Sequence, residues 1–139
     1  MNQLHRIAQL LVSSWCLGAE EKSLMTSNGV LDRALKLAYD RKALPDWATK
    51  EIHFADSRIG LQCVELPAIL DWAQAAELTS APNPSYRFAE LKVSARVARM
   101  LLQKLEVSEE DAKALGRMLK KSIDESTSGL SEQVVADVY

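Results

Sequence analysis

The stretch Leu105–Lys121, "LEVSEEDAKALGRMLKK", joins the end of one predicted helix to the start of the next through a short turn. Ser108 and Asp111 form a capping box, in which the serine hydroxyl accepts a backbone N–H and the acid reaches back. Apolar residues then recur at helical spacing, at Ala112, Leu115, Leu119 and Ile123. The pattern predicts a helix from Ser108 to about residue 126, as the second arm of a C-terminal helical hairpin.

The first arm of this hairpin is predicted as the longest helix of the chain, at about residues 85–105. Its apolar seam alternates steps of three and four residues, at Phe88, Leu91, Ala95, Ala98, Leu102 and Leu105. Further apolar residues lie on its other sides, at Val93, Val97, Met100 and Leu101. Such a helix is typical of the centre of a bundle or of an oligomer interface, and we expect it to be the long central helix of this fold.

The hairpin also raises the alternative of a degenerate DNA-binding helix-turn-helix at 98–121. Two positions depart from that motif, because Leu102 stands where a small residue is needed and Glu106 where glycine is usual. The start of the second helix is acidic, although base contacts normally come from this end of a recognition helix. Acids at a helix start and cations at its end also complement the helix dipole. A capped hairpin therefore explains these residues without DNA.

Upstream of the hairpin the periodicity predicts four further helices, at about 2–17, 29–42, 47–57 and 66–78. Gly18 is the expected stop of the first, and Asp46 the expected cap of the third. The segment 58–64 alternates apolar and polar residues, as strands do. Because no partner strand is evident, we interpret it as an extended connection, with a strand as the alternative.

The chain is therefore expected to be all-α, a single-domain bundle of about six helices over residues 1–126. The segment "TSAPNPS" contains two prolines and marks a possible subdivision at 79–85. After residue 126 the sequence loses helical spacing, so residues 127–139 are expected to form a C-terminal tail.

Composition excludes several classes of protein. The chain has 139 residues, 47% of them hydrophobic, which suits a folded domain, and a net charge of −2 gives no global attraction to nucleic acid or membranes. No stretch approaches the roughly 18 apolar residues that a membrane span needs. The first residues read as an amphipathic helix and not as a secretory leader, so we expect a cytoplasmic protein with free thiols.

Basic residues form two stripes that antiparallel packing would bring to one edge, as a candidate interaction face. They are Lys92, Arg96 and Arg99 in the first stripe and Lys113, Arg117, Lys120 and Lys121 in the second. An acidic protein partner or the acidic half of the chain itself explains these stripes as well as nucleic acid does. Three tryptophans at the edges of apolar helix faces are candidate aromatic anchors for a partner, with core packing as the alternative: Trp15, Trp47 and Trp72.

The sequence gives little support for a metal site, a cofactor site or a catalytic site. His5, His53, Cys16 and Cys63 are of types that bind metal, but none of their spacings matches a metal-binding motif, so we expect no metal and no cofactor. There is no nucleophile motif and no glycine-rich phosphate loop. The sequence therefore favours a small soluble module that binds a protein or itself. A DNA-binding regulator is the alternative, and a small enzyme whose site converges only in space is the third interpretation.

Overall fold

The computed structural model describes residues 3–26, 29–58, 60–80 and 88–138, and only the backbone of residues 127–138. The helices in these ranges are α1 Leu4–Ser14, α2 Val30–Asp40, α3 Asp46–Thr49, α4 Leu66–Ala75, α5 Ala95–Leu105 and α6 Glu109–Val138. A π-helical segment, Trp15–Ala19, continues α1 directly. The strands are β1 Ser23–Met25, β2 Phe54–Ser57, β3 Gly60–Cys63 and β4 Phe88–Glu90.

The prediction of an all-α fold is wrong, because the described residues include two small antiparallel sheets. One sheet pairs β2 with β3, and the other pairs β1 with β4. The chain is mostly helical, and each sheet includes residues that were predicted to lie in a helix or a connection.

The β2–β3 hairpin replaces both the end of the predicted helix 47–57 and the predicted extended connection 58–64. Phe54 pairs with Cys63, and Ser57 pairs with Gly60, whose φ of 111° is accessible to glycine. The Cys63 N–H donates to Asp32 Oδ1 at 2.7 Å, which ties the hairpin to α2. The alternating segment did have a partner strand, but that partner had been assigned to a helix.

The third predicted helix is reduced to the four residues of α3. Pro45 is its N-cap residue, and Asp46 is its first helical residue without a side-chain capping bond. The prediction that Asp46 caps this helix is therefore wrong.

The predicted helix 85–105 is also too long, because its start belongs to β4. Met25 pairs with Phe88, and the Leu91 N–H donates to the Lys22 carbonyl at 2.7 Å. Ser94 ends this extended stretch, and its hydroxyl accepts the Val97 N–H at 3.2 Å to cap α5. The apolar seam from 88 to 105 thus combined a strand and a helix.

The centre of the fold is α1 with its π-helical segment, and not α5 as predicted. The buried residues of α1 are Ile7, Ala8, Leu10, Leu11, Val12, Ser13 and Ser14. Helices α4, α5 and α6 pack against α1. In contrast, α5 buries only Ala98, Leu102 and Leu105. A helix that is buried on nearly all sides is a core helix, whereas one with a single buried stripe covers the core.

Two glycines let α6 cross the junction of α1 and the π-helical segment with backbone against backbone. A Cβ atom on Gly116 would lie 1.9 Å from the Ser14 carbonyl oxygen, and one on Gly18 would lie 2.4 Å from the Lys113 carbonyl oxygen. The prediction that Gly18 stops the first helix is wrong, since the helical stretch ends at Glu20, whose φ is 57°. Gly18 is required for this close approach.

Helix α6 begins as predicted and ends later than predicted. The Ser108 hydroxyl accepts the Asp111 N–H at 3.1 Å, and the four apolar residues chosen from the sequence are buried: Ala112, Leu115, Leu119 and Ile123. The helix continues to Val138 through the residues predicted as a tail. Helix α5 packs mainly on α1, and α6 on the π-helical segment and α2, so the two form a hairpin in sequence with little mutual packing.

The possible subdivision at 79–85 stays a prediction. Residues 81–87 lie outside the described residues. Buried residues on both sides of this stretch, such as Leu78 and Leu91, belong to one hydrophobic cluster.

Candidate protein-binding groove

A groove of about 570 Å³ lies between the α2–α3 connection and the start of α6. Its apolar lining consists of Leu10, Ala43, Leu44, Pro45, Trp47, Val107, Ala112, Ala114 and Leu115. Its charged rim consists of Lys42, Asp46, Glu106 and Asp111. We refer to this site as the acid-rimmed groove.

Two residues in the left-handed conformation shape the two sides of the groove. On one side, Lys42 has a φ of 57° and turns the chain after α2 toward Pro45. On the other side, Glu106 has a φ of 59°, donates its N–H to Gln103 and ends α5. The next N–H, of Val107, reaches back to the Leu102 carbonyl at 3.1 Å, which completes a Schellman motif. The walls are therefore hydrogen-bonded turns with defined geometry.

Trp47 is the one predicted aromatic anchor that lines this groove. It is half-buried, and the Arg6 guanidinium lies 4.4 Å from the centroid of its ring. Such a cation–π contact holds the indole in place. The ring therefore offers a fixed apolar surface beside the charged rim.

The rim carries more negative than positive charge. Asp46, Glu106 and Asp111 are exposed, and none of them forms an ion pair with another residue in the described ranges. Among the described residues that line the groove, Lys42 is the single cation. Among the described side chains, therefore, these three carboxylates have no ion-pair partner that would compete with a cationic ligand.

The other two tryptophans lie elsewhere in the fold. Trp15 is 2% exposed, and its indole N–H donates to the Ser23 carbonyl at 3.1 Å, so it packs in the core. Trp72 is 43% exposed on α4, where its ring lies 5.9 Å from the ring of His5. The structure thus separates the three predicted anchors.

The two predicted basic stripes meet at one carboxylate. Glu109 accepts the Arg99 guanidinium N–H on one side and lies 3.5 Å from the Lys113 Nζ on the other. The hydrogen bond from Arg99, aided by the nearby charge of Lys113, lowers the pKa of Glu109. At one end of the candidate interaction face, Glu109 therefore links the two basic stripes and partly neutralises their charge.

Two further carboxylates, Glu21 and Asp124, neutralise a cation at the other end of this face. The Lys120 Nζ lies 2.8 Å from Glu21 and 3.4 Å from Asp124, and these hydrogen bonds raise the pKa of Lys120. The remaining predicted cations are exposed without an ion pair to the residues whose side chains are described: Lys92, Arg96, Arg117 and Lys121. Carboxylates thus interrupt the predicted basic face.

The turn between α5 and α6 fits the helix-turn-helix alternative, but the charge at the start of α6 does not. Glu106 adopts the left-handed conformation that glycine usually takes in that motif. The first turn of α6, however, carries Glu109, Glu110 and Asp111. These acids would face DNA phosphates, so the local charge disfavours base reading by this helix.

The potential metal ligands are scattered through the fold. Cys63 is buried, which raises the pKa of its thiol to about 11, and burial also raises the pKa of Cys16. The His53 Nδ1 lies 2.8 Å from the Glu65 Oε2 at the protein surface. Within the described part of the chain, no three His, Cys, Asp or Glu residues cluster in a way that could hold a metal ion.

Sequence reasoning missed the groove because its sides are far apart in the chain. Residues 42–47 and residues 106–115 meet only in the folded protein. The acids at the start of α6 were visible, but their complement to the helix dipole already explained them. The one feature of the groove visible in a short stretch of sequence is the adjacent Asp46 and Trp47 at the start of α3.

None of the helices that the structure describes has the length and apolar character to cross a membrane. Comparisons with protein-family models, with curated proteins and with solved structures found no match.

Proposed function

We propose that this protein acts by binding and not by catalysis, and that the acid-rimmed groove receives a cationic, apolar segment of a protein partner. The observation that supports this most is the coincidence of an apolar lining around Trp47 with three carboxylates that form no ion pair with any residue whose side chain is described. Aromatic residues in pockets are frequent anchors of binding energy. Charges at the rim select the partner by electrostatic complementarity.

The chemistry of the groove favours one kind of partner. An amphipathic helix that binds in a groove supplies apolar side chains at intervals of three and four residues. Lysine or arginine residues beside those side chains would meet Asp46, Glu106 and Asp111. An acidic peptide or a nucleic acid would bring negative charge to the same carboxylates and be repelled.

A pair of synthetic helical peptides tests this proposal. Both carry leucine on one face, and the flanking positions are lysine in one peptide and glutamate in the other. Titration into the ¹⁵N-labelled protein should shift the amide signals of Ala112 to Leu115 and the indole signal of Trp47 with the lysine peptide only. Added salt should weaken this binding, because exposed charges are screened.

Position 114 offers a matched pair of variants, since Ala114 is exposed and lines the groove. Ala114→Lys should weaken binding of the lysine peptide, whereas Ala114→Glu, which adds a chain of comparable length, should retain or strengthen it. Both residues are good helix formers, so neither change should unfold α6. Equal binding of both peptides, or equal effects of both variants, would contradict the proposal.

A further inference from the structure

Helix α5 presents an apolar and basic face away from the core. Val97 is 40% exposed and Met100 is 51% exposed, although both are large apolar residues. Arg96 and Lys104 are exposed four residues before and after Met100, so the three side chains lie along one ridge of the helix. Their arrangement places an apolar side chain between two cations.

The charge of this face is opposite to that of the acid-rimmed groove. The sequence from Leu91 to Leu105 contains four cations and no carboxylate: Lys92, Arg96, Arg99 and Lys104. Arg99 is engaged by Glu109, while Arg96 and Lys104 form no ion pair with any residue whose side chain is described. The helix therefore has the chemistry that the groove is proposed to bind.

The two surfaces also adjoin each other on the molecule. Glu106 and Val107, which line the groove, follow the last residue of α5 directly in the chain. Because α5 and the groove are neighbours, two copies related by a two-fold axis near the α5–α6 turn can each place α5 in the groove of the other. Such an interface is isologous and closes at a dimer.

We propose, building on the function proposed above, that the occupant of the acid-rimmed groove is the outer face of α5 from a second copy of this chain. Met100 and Val97 enter the apolar part of the groove. Arg96 and Lys104 pair with the carboxylates of its rim. The protein then functions as a homodimer whose two grooves are filled reciprocally.

Sedimentation velocity over a concentration series tests the dimer. The weight-average mass should rise from 15.4 kDa toward twice that value as concentration increases to about 1 mM. Met100→Glu should weaken dimerisation at least about a hundredfold, because the two-fold dimer carries the change twice and each interface anchor contributes strongly. Val64→Glu is the matched control, since Val64 is 57% exposed but lies in the β3–α4 turn and should have no effect.

A charge exchange tests which surfaces meet. One variant carries Arg96→Glu and Lys104→Glu, and the other carries Asp46→Lys and Glu106→Lys. All four positions are exposed, so both variants should fold. Each alone should be monomeric because like charges face each other, and an equimolar mixture should form a heterodimer. A mixture that stays monomeric while the unmodified protein dimerises would overturn the assignment of α5 to the groove.

The outcomes separate this inference from the proposed function. Unmodified protein that remains a monomer, or dimerises equally well with Met100→Glu, overturns the inference. If the lysine peptide still binds in that case, the groove receives a different protein and the proposed function stands. If the lysine peptide also fails to bind, both proposals are wrong.

Discussion

Helices α1 and α5 are both eleven residues long, but they have opposite roles in the fold. Helix α1 is surrounded by other elements, and it includes Ser13 and Ser14, both fully buried. Helix α5 carries more large apolar side chains than one neighbour covers and leaves Val97 and Met100 exposed. The comparison shows that apolar surface alone does not place a helix at the centre. Small residues that let other backbones approach decide it here.

The strongest test of this comparison is a truncation in each helix. Leu11→Ala should lower the free energy of unfolding by about 2–5 kcal/mol, because Leu11 is buried in the central helix and leaves a cavity. Met100→Ala, on the exposed face of α5, should change it by no more than about 0.5 kcal/mol. Urea unfolding at a concentration where the protein is monomeric measures both. Equal losses would remove the distinction between the two helices.

The contact between α6 and the π-helical segment is tested next. Gly116→Ala should destabilise the protein by about 1–3 kcal/mol, because the new methyl group meets the Ser14 carbonyl and the backbones must separate. In an unconstrained helix the same change would stabilise the helix by up to about 1 kcal/mol. The sign of the change in the free energy of unfolding therefore shows whether the two backbones are in contact. Lys121→Ala, at an exposed position of the same helix, serves as the control. A gain in stability for Gly116→Ala would show that the helices do not approach so closely.

The third test concerns the serine residues that cap the starts of α5 and α6. Ser94→Ala and Ser108→Ala should each cost about 1 kcal/mol, since each hydroxyl accepts a backbone N–H of the first helical turn. Replacement by Asp should retain most of the stability, because its carboxylate accepts the same bond. Thermal unfolding of the four variants distinguishes a cap from a general effect at these positions. Asp variants as unstable as the Ala variants would contradict capping.

The smallest effect concerns the ion pair that links α5 to α6. The pKa of Glu109 is lowered below its ordinary value of 4.5, chiefly by Arg99, so its contribution to stability is present above 4.5. That contribution is lost as the pH falls through the lowered pKa. Glu109→Gln should therefore flatten the decline in melting temperature between neutral pH and about pH 3. Glu110→Gln is the control, because no ion pair involves Glu110 in the described residues. An equal effect of both variants would mean that the pH dependence of the melting temperature reflects the net charge of the protein and not the Arg99–Glu109 pair.

Local periodicity predicted much of the helical part of the fold. The positions of α2 and α4, the Ser108 cap and the buried face of α6 all follow from residues within one or two turns of each other. The strands could not be found in this way. Strand β4 continues the apolar spacing of α5 with residues such as Phe88, and its partner β1 lies about 65 residues earlier in the sequence.

The candidate site was predicted only in fragments. The sequence predicts Trp47 as an aromatic anchor and shows the acids of α6, but nothing in it places them beside each other. The predicted basic face was chosen by spacing along helices, and Glu21, Glu109 and Asp124 interrupt it in the fold. The Arg99–Glu109 and Lys120–Glu21 pairs join different elements and cannot be predicted from helical spacing, whereas the Lys120–Asp124 pair is four residues apart on one helix.

By itself the sequence determined where helices α2, α4 and α6 begin, which face of α6 is buried and that the Ser108 hydroxyl caps α6. These features depend on contacts within a few residues, where backbone geometry sets the spacing. Only the tertiary structure decided that α1 is central, that β1 pairs with β4 and β2 with β3, and that Trp47 meets an acidic rim. Each of these depends on segments distant in the chain, whose approach is set by packing volume and by backbone contact at Gly18 and Gly116.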